Sequence, residues 1–474
     1  MNITLILNDI VGKENVLIDT ECISYNQDWT GKYISTPLAV VKPASTLEVS
    51  HVVRACYENE VAIVPISGNT GLSGGTSANN AVMVSLERLN IIQKIKPQSR
   101  IAVVGAGVIL SNLHSAVEEF DLVFPLTFGA KGSSMIGGVL STNAGGSNVL
   151  KYGNTRTLCM GLEVVLPDGQ VLDLMSELHK DNTGYDLKDL IIGAEGTLGI
   201  ITAAVLKLSP RPVAYTTAMI ATSSLDNALK VLNILQERTG GGVEAFEYMP
   251  NNYIKTHLTK VPNSRPPFDK LYDVNIMLEI GSTIVSDSIS PVTGESMLTK
   301  SIQEILSQLL TSGELLDAVI AQSESQRIEM WERREASAEI TITNEPLIIT
   351  DVAVPLEKIS IFIEKMDTII QQIDPGSREL TVAHLGDGNI HYAIYPTKFD
   401  EILFDKLTNH LEGLTQELGG SFSAEHGIGL SKKKSMARRK DPVALEVMRS
   451  IKMGLDPKNR PRFKRINGSS FRGW

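Results

Sequence analysis

The chain has 474 residues, 42% of them hydrophobic, and a formal net charge of −10. That length allows about two to three domains, and the acidic balance argues against a general nucleic-acid binder. Its three cysteines, Cys22, Cys56 and Cys159, form neither a CxxC pair nor a disulfide framework.

The opening MNITLILNDIVGKENV interrupts its apolar patch at Asp9, Lys13 and Glu14, and no apolar run of membrane length follows. These features predict a soluble, cytoplasmic protein, with room for peripheral contact at a membrane electron acceptor. The first half alternates β-branched runs with helical spacing. Strands are expected near 37–45, 61–66, 81–90 and 100–108, and helices at 46–60 and 110–120. A hairpin is expected over 162–174, turning at Pro167-Asp168-Gly169. Proline and a changed pattern near 201–212 suggest a boundary, giving expected domains 1–211 and 212–457 and a basic tail over 458–474. The second half begins with strand-like YTTAMI and the helix-like LDNALKVLNILQERT. Further strands are expected at 274–282, 346–355 and 389–396, and helices at 295–312, 356–372 and 401–417.

Three glycine-rich stretches stand out in the first half. VPISGNTGLSGG, 64–75, follows a strand; glycines there turn backbone N–H groups toward one ligand and allow its close approach. The spacing is neither GxGxxG nor GxxxxGK[ST], so a nicotinamide Rossmann site or a P-loop is poorly matched. GAKGSSMIGGVLSTNAGGSNVLKYGNTR, 129–156, and NTGYDLKDLIIGAEGTLGIIT, 182–202, are the other two. Any one of them could be turn chemistry; three in one domain point to a long cofactor lying over much backbone.

The chain has eight histidines. AHLGDGNIH holds His384 and His391 around a glycine turn, and SFSAEHGIGL holds Glu425 and His426. Two histidines and a carboxylate can bind a cation and leave positions open for substrate or water, although the spacing is not HExxH and turn or structural roles remain compatible with it. A histidine near its ordinary pKa also serves as a base, which suits His426. In MWERREAS, Arg334 offers either a helical ion pair with Glu332 or Glu335, or a clamp for a substrate carboxylate.

Taken in order, PISGNTGLSGG, GAKGSSMIGGVLSTNAGGSNVLKYG, NTGYDLKDLIIGAEGTLGIIT, HLGDGNIH and SAEHGIG resemble the FAD-linked D-2-hydroxy-acid dehydrogenases of the vanillyl-alcohol-oxidase-type flavoprotein superfamily, over roughly 35–457. NTGYDLK and AFEYMP lean toward D-2-hydroxyglutarate dehydrogenases, with D-lactate dehydrogenases close behind. The resemblance implies an α+β chain: a two-subdomain FAD-binding fold of the vanillyl-alcohol-oxidase (PCMH) type, then an antiparallel-sheet substrate domain with flanking helices. It assigns noncovalent FAD to Pro65, Ser67, Gly68, Asn69, Thr70, Gly71, Leu72, Ser73, Gly132, Ser133, Ile136, Gly137, Thr142, Asn143, Gly145, Gly146, Gly193, Glu195, Gly196, Gly199, Ile200 and Ile201. The loop at 67–73 would surround the diphosphate.

By the same resemblance, His384, His391 and Glu425 bind a divalent metal, zinc or alternatively manganese, and Arg334 of the WxxR pattern holds the substrate carboxylate. His426 takes the hydroxyl proton while a hydride leaves C2 for the flavin. Electrons then pass to a quinone, an electron-transfer flavoprotein or a cytochrome; a homodimer is a further expectation. Alternatives are a D-lactate or other D-2-hydroxy-acid dehydrogenase, a glycolate-oxidase-like subunit, or a non-catalytic flavin-binding accessory protein. Three positions depart from the 2-hydroxyglutarate pattern: Ile349 for lysine, Ala393 for asparagine, and Ala338 for a hydroxyl residue. All remove polar grip from the substrate's far end. Arg265 and Lys270 are candidates to compensate.

Overall fold

The computed structural model of the chain describes residues 3–291, 294, 296–343 and 345–458. The basic ending from 459 onward therefore lies outside the described residues. Two compact units emerge. Of the described residues, one gathers 3–146, 153–210 and 425–458; the other gathers 147–152 and those described between 211 and 424.

The first unit carries two main sheets. The smaller is four-stranded and mixed; Ala62–Ile66 and Ala39–Val41 both run parallel to Ala81–Ser85. Its partner helix Thr46–Glu58 starts where Ser45 accepts the Glu48 N–H, a side-chain cap for an otherwise orphan donor. The larger sheet is five-stranded and antiparallel, with Ile200–Lys207 at its centre between Ile101–Gly105 and Cys159–Val165. The expected hairpin closes as Cys159–Val165 pairs with Val171–Leu174. Two sheets in one unit match the expected two-subdomain plan.

The second unit is built on a seven-stranded sheet in which every recorded pairing is antiparallel. Its order is Asp317–Ile320, Ala214–Thr222, Val274–Ser282, Val243–Pro250, Arg378–His384, Asn389–Tyr395, Ile348–Ala353. Alternation divides the side chains between two faces. One face, with Ala218, Ile220, Phe246, Tyr248, Ile276 and Tyr392, packs against the helices Leu225–Arg238, Met297–Ser312, Ile359–Ile373 and Glu401–Glu417. The other, with Met219, Met249, Met277, Leu380, Val382 and Ala393, packs against Tyr253 and Ile254 of helix Asn251–Lys260, Met330 of Glu324–Glu335 and Ile340 of Ser337–Thr341. This second face also carries Glu247, His384, His391 and Asp351. Three of the sheet's strands, Val243–Pro250, Asp317–Ile320 and Arg378–His384, were not expected from the sequence.

Candidate functional site: a buried histidine–carboxylate–arginine network and three glycine loops

In the first unit the glycine stretches fold onto one another. A Cβ on Gly68 would stand 2.1 Å from the Ser133 carbonyl, and one on Gly196 would stand 2.7 Å from Pro65 Cγ. Thr70 Oγ1 lies 3.0 Å from Ser134 Oγ, and the Glu195 N–H donates to Ser141 O at 2.7 Å. The loops at 67–73, 132–146 and 193–199 thus form one surface. Gly71 and Gly132 leave open space where a side chain would stand, a surface a flat ligand can lie against.

Several of the expected cofactor residues have their side chains turned elsewhere. Ile136, Ile200 and Ile201 are core residues at 0–2% exposure, so their side chains pack inward. Asn143 Oδ1 accepts the Arg156 N–H, Thr142 Oγ1 donates to Gly138 O, and Asn69 bridges Gln27 O and Thr76. The Glu195 carboxylate accepts the N–H groups of Ile428 and Gly429 at 2.7 and 2.8 Å. Ser73 Oγ donates to His426 O at 2.9 Å. The glycine loops therefore anchor the backbone of the HGIG segment, a connection the sequence did not reveal.

In the second unit, His384 ends the strand Arg378–His384, and His391 is the third residue of Asn389–Tyr395. The hairpin turn between them depends on Gly388, at φ +83° with Val354 O only 2.3 Å from where a Cβ would sit. It brings the rings to 5.3 Å between centroids, nearly perpendicular, with a ligand nitrogen of each within 4.8 Å of the other's. Each ring faces a buried carboxylate across the sheet. His384 pairs in register with Glu247, and its Nδ1 lies 2.9 Å from Oε1. His391 pairs with Asp351, its Nδ1 3.8 Å from the carboxylate, beyond a direct hydrogen bond. Asp351 also accepts from Asn389 Nδ2 at 2.8 Å and from the Ala424 N–H at 3.2 Å. Ala424 is thus tied to the strand beside His391, and Glu425 and His426 are the next two residues of the chain.

Arg334 is 6% exposed near the end of helix Glu324–Glu335. The helical ion pair with Glu332 or Glu335 is not what it makes. Its Nε donates to Glu247 Oε2 at 2.8 Å and its Nη1 to Ser337 Oγ at 3.2 Å, while Nη2 is buried without a hydrogen-bond partner among the described residues. A buried guanidinium nitrogen with no acceptor carries a desolvation cost that an anionic ligand offsets. Burial opposes the ionised form of Glu247, but the charges and hydrogen bonds of His384 and Arg334 prevail and hold its carboxyl below the usual range. Burial raises Asp387, in the turn, above its ordinary value.

Glu247 and Asp351 were not singled out from the sequence. The signal for Glu247 was a charged residue inside the apolar run VEAFEYM, which cannot be buried without partners. Ile349 and Ala393 prove to be cross-strand partners, one pair along from Asp351 and His391 on the same face. Two of the three departures from the 2-hydroxyglutarate pattern thus merge into one apolar patch. Ala338 lies on the short helix Ser337–Thr341. Arg265 offers its backbone carbonyl to Arg333 Nη2.

The amino-terminal glycine region, residues 37–175, matches the FAD binding domain, and residues 211–460 match the C-terminal domain of FAD linked oxidases. The chain belongs to the FAD-linked oxidase family, in its D-2-hydroxy-acid dehydrogenase branch. A protein of Oryza sativa subsp. japonica described as a probable mitochondrial D-2-hydroxyglutarate dehydrogenase is 35% identical over 94% of this chain and 78% of its own length. The D-2-hydroxyglutarate dehydrogenase of Stutzerimonas stutzeri is 33% identical over 95% of this chain and 96% of its own. Among solved structures, p-cresol methylhydroxylase with substrate bound superposes with a TM-score of 0.73 at 16% identity, covering 97% of this chain and 96% of that one. This last likeness shows the fold and agrees with the expected vanillyl-alcohol-oxidase plan.

Proposed function

We propose that this FAD-dependent dehydrogenase oxidises D-2-hydroxyglutarate to the 2-oxo acid at a divalent metal, zinc or alternatively manganese, held by His384, His391 and Glu425. The reading rests chiefly on one observation: His384 and Arg334 share the buried carboxylate of Glu247, which sets a metal-ligand type of side chain beside a guanidinium with an unpartnered nitrogen. Imidazole and carboxylate donors suit such a cation, and the open faces of Gly71 and Gly132 suit a large cofactor.

The metal, when bound, lowers the pKa of the substrate's C2 hydroxyl. FAD, when bound, supplies the acceptor for the two electrons and hydrogen leaving C2. Arg334 binds the substrate carboxylate through Nη2 and fixes its orientation, which supplies the proximity contribution. His426 takes the hydroxyl proton, so that proton and hydride leave the same alcohol and a carbonyl remains. The electrons pass to a separate acceptor: a quinone, an electron-transfer flavoprotein or a cytochrome. We read the protein as cytoplasmic, with peripheral membrane contact and a homodimer as further parts of the proposal; among the described residues no helix is long and apolar enough to cross a membrane.

The apolar pair Ile349–Ala393 favours a second reading within the same chemistry, in which the preferred D-2-hydroxy acid has an uncharged side chain, as D-lactate does. Anaerobic bleaching of the flavin over a panel of D-2-hydroxy acids, with and without Zn²⁺ or Mn²⁺, tests both. Metal-dependent bleaching by D-2-hydroxyglutarate, abolished in His391→Ala, is expected. Bleaching by uncharged members alone selects the second reading, and no bleaching of a sample loaded with FAD and metal refutes both.

A further inference from the structure

We infer that Glu247 is the positioning residue of this site: one carboxylate sets the ring tautomer of His384 and aims Arg334. The inference rests on the proposed metal and carboxylate roles of those two residues. Glu247 is wholly buried at the middle of the sheet, on Val243–Pro250, directly opposite His384 in register. His384 Nδ1 lies 2.9 Å from both carboxylate oxygens and hydrogen-bonds Oε1, while Arg334 Nε donates to Oε2 at 2.8 Å.

A carboxylate only accepts hydrogen bonds, so the proton of neutral His384 belongs on Nδ1. The lone pair is then on Nε2, the ring nitrogen turned away from that hydrogen bond. A carboxylate behind a ligating imidazole fixes its orientation and raises its basicity, and losing one costs roughly 10–100-fold in metal affinity. On the other side, holding Nε fixes the plane of the Arg334 guanidinium, with Ser337 on Nη1 and the unpartnered Nη2 left for an anion. Metal ligand and substrate clamp are thus fixed by one group, so neither can shift without disturbing the other's support.

Glutamine at this position makes an unequal choice. An amide presents one acceptor and one donor, whereas Arg334 Nε can only donate and His384 Nδ1 can do either. With the amide oxygen in the place of Oε2, serving Arg334, the NH₂ takes the place of Oε1, the atom that His384 Nδ1 hydrogen-bonds. That moves the ring proton to Nε2 and removes the ligand lone pair. Adding Arg334→Met lets the amide oxygen turn back to His384 Nδ1–H, restoring the ligating tautomer.

The test is Zn²⁺ affinity, measured without substrate by competition with a chromophoric chelator, alongside KM and kcat for substrate reduction of the flavin. Glu247→Gln is expected to weaken Zn²⁺ binding roughly 10–100-fold, and Glu247→Gln/Arg334→Met to recover most of that loss while KM stays raised. A residue that merely supports the fold predicts the opposite order, with the double variant worse than the single. Thermal melting monitors folding. The double variant leaves no uncompensated buried arginine, so it remains measurable if the single variant does not fold, and it must then bind Zn²⁺ within about tenfold of wild type with a raised KM. Unchanged Zn²⁺ affinity in Glu247→Gln, or a double variant weaker than the single, overturns the inference. A wild-type chain that binds no Zn²⁺ refutes the metal reading itself and takes the inference with it.

Discussion

Ile349→Lys puts a cation into the apolar patch beside the proposed metal centre, and the structure indicates what it should do. Ile349 lies opposite Ala393, on the face that carries Asp351 and His391 and about 7 Å along the strand from them. It is 41% exposed, so a lysine stem can lie on the sheet while its ammonium reaches solvent. No buried charge is created, and the melting temperature should be nearly unchanged. A substrate with a second carboxylate gains a charge-assisted hydrogen bond, about 1–2 kcal/mol after solvent screening. An uncharged side chain gains nothing. The ratio of kcat/KM for D-2-hydroxyglutarate over D-lactate should rise roughly 5- to 30-fold, measured by dye-linked turnover of both substrates with metal saturating. A ratio unchanged within about twofold, in a variant that folds and binds flavin normally, would refute the assignment of this patch to the substrate's far end.

Arg334→Lys should raise KM at least about tenfold with a smaller change in kcat, because a compact ammonium lacks the planar fork that spreads donors to Glu247, Ser337 and an anion; steady-state kinetics over a range of substrate concentrations check it. Gly388→Ala should destabilise the protein by about 2–4 kcal/mol, since φ is +83° and Val354 O occupies the place of the new methyl. Denaturant unfolding measures that loss, and Zn²⁺ affinity should fall with it because the turn sets the spacing of His384 and His391. Burial raises the Glu379 carboxyl above its ordinary range, against hydrogen bonds from Thr381 and Asn252 and with help from the Asp367 charge. With the folded pKa above the unfolded one, the native state binds the extra proton between them and loses stability as pH rises through that window. Glu379→Gln removes this loss, so its melting temperature should exceed wild type at pH 7 and the gap should close below the unfolded carboxylate range.

Much was legible in the chain because the relevant interactions are local. The hairpin turned by Pro167-Asp168-Gly169, the helix expected over 46–60 and the strand starting at Asn389 follow from turn residues and periodicity. The five ordered motifs carried the flavin family, since glycines that allow backbone to meet a ligand leave a recognisable spacing. Glu247 was hidden for a different reason. Its strand is apolar on both faces apart from the acids, and nothing near it in sequence discloses partners 87 and 137 residues away. Asp351, opposite His391, likewise acquires its meaning only from register.

The sequence by itself determined the cofactor class and the identities of His384, His391 and Arg334 as chemical candidates. Only the tertiary structure decided what orients them, because strand register is a global property: shifting one strand by a single residue would turn its side chains to the other face. That register sets Glu247 against His384 and pairs Ile349 with Ala393. A list of residue types cannot contain either fact.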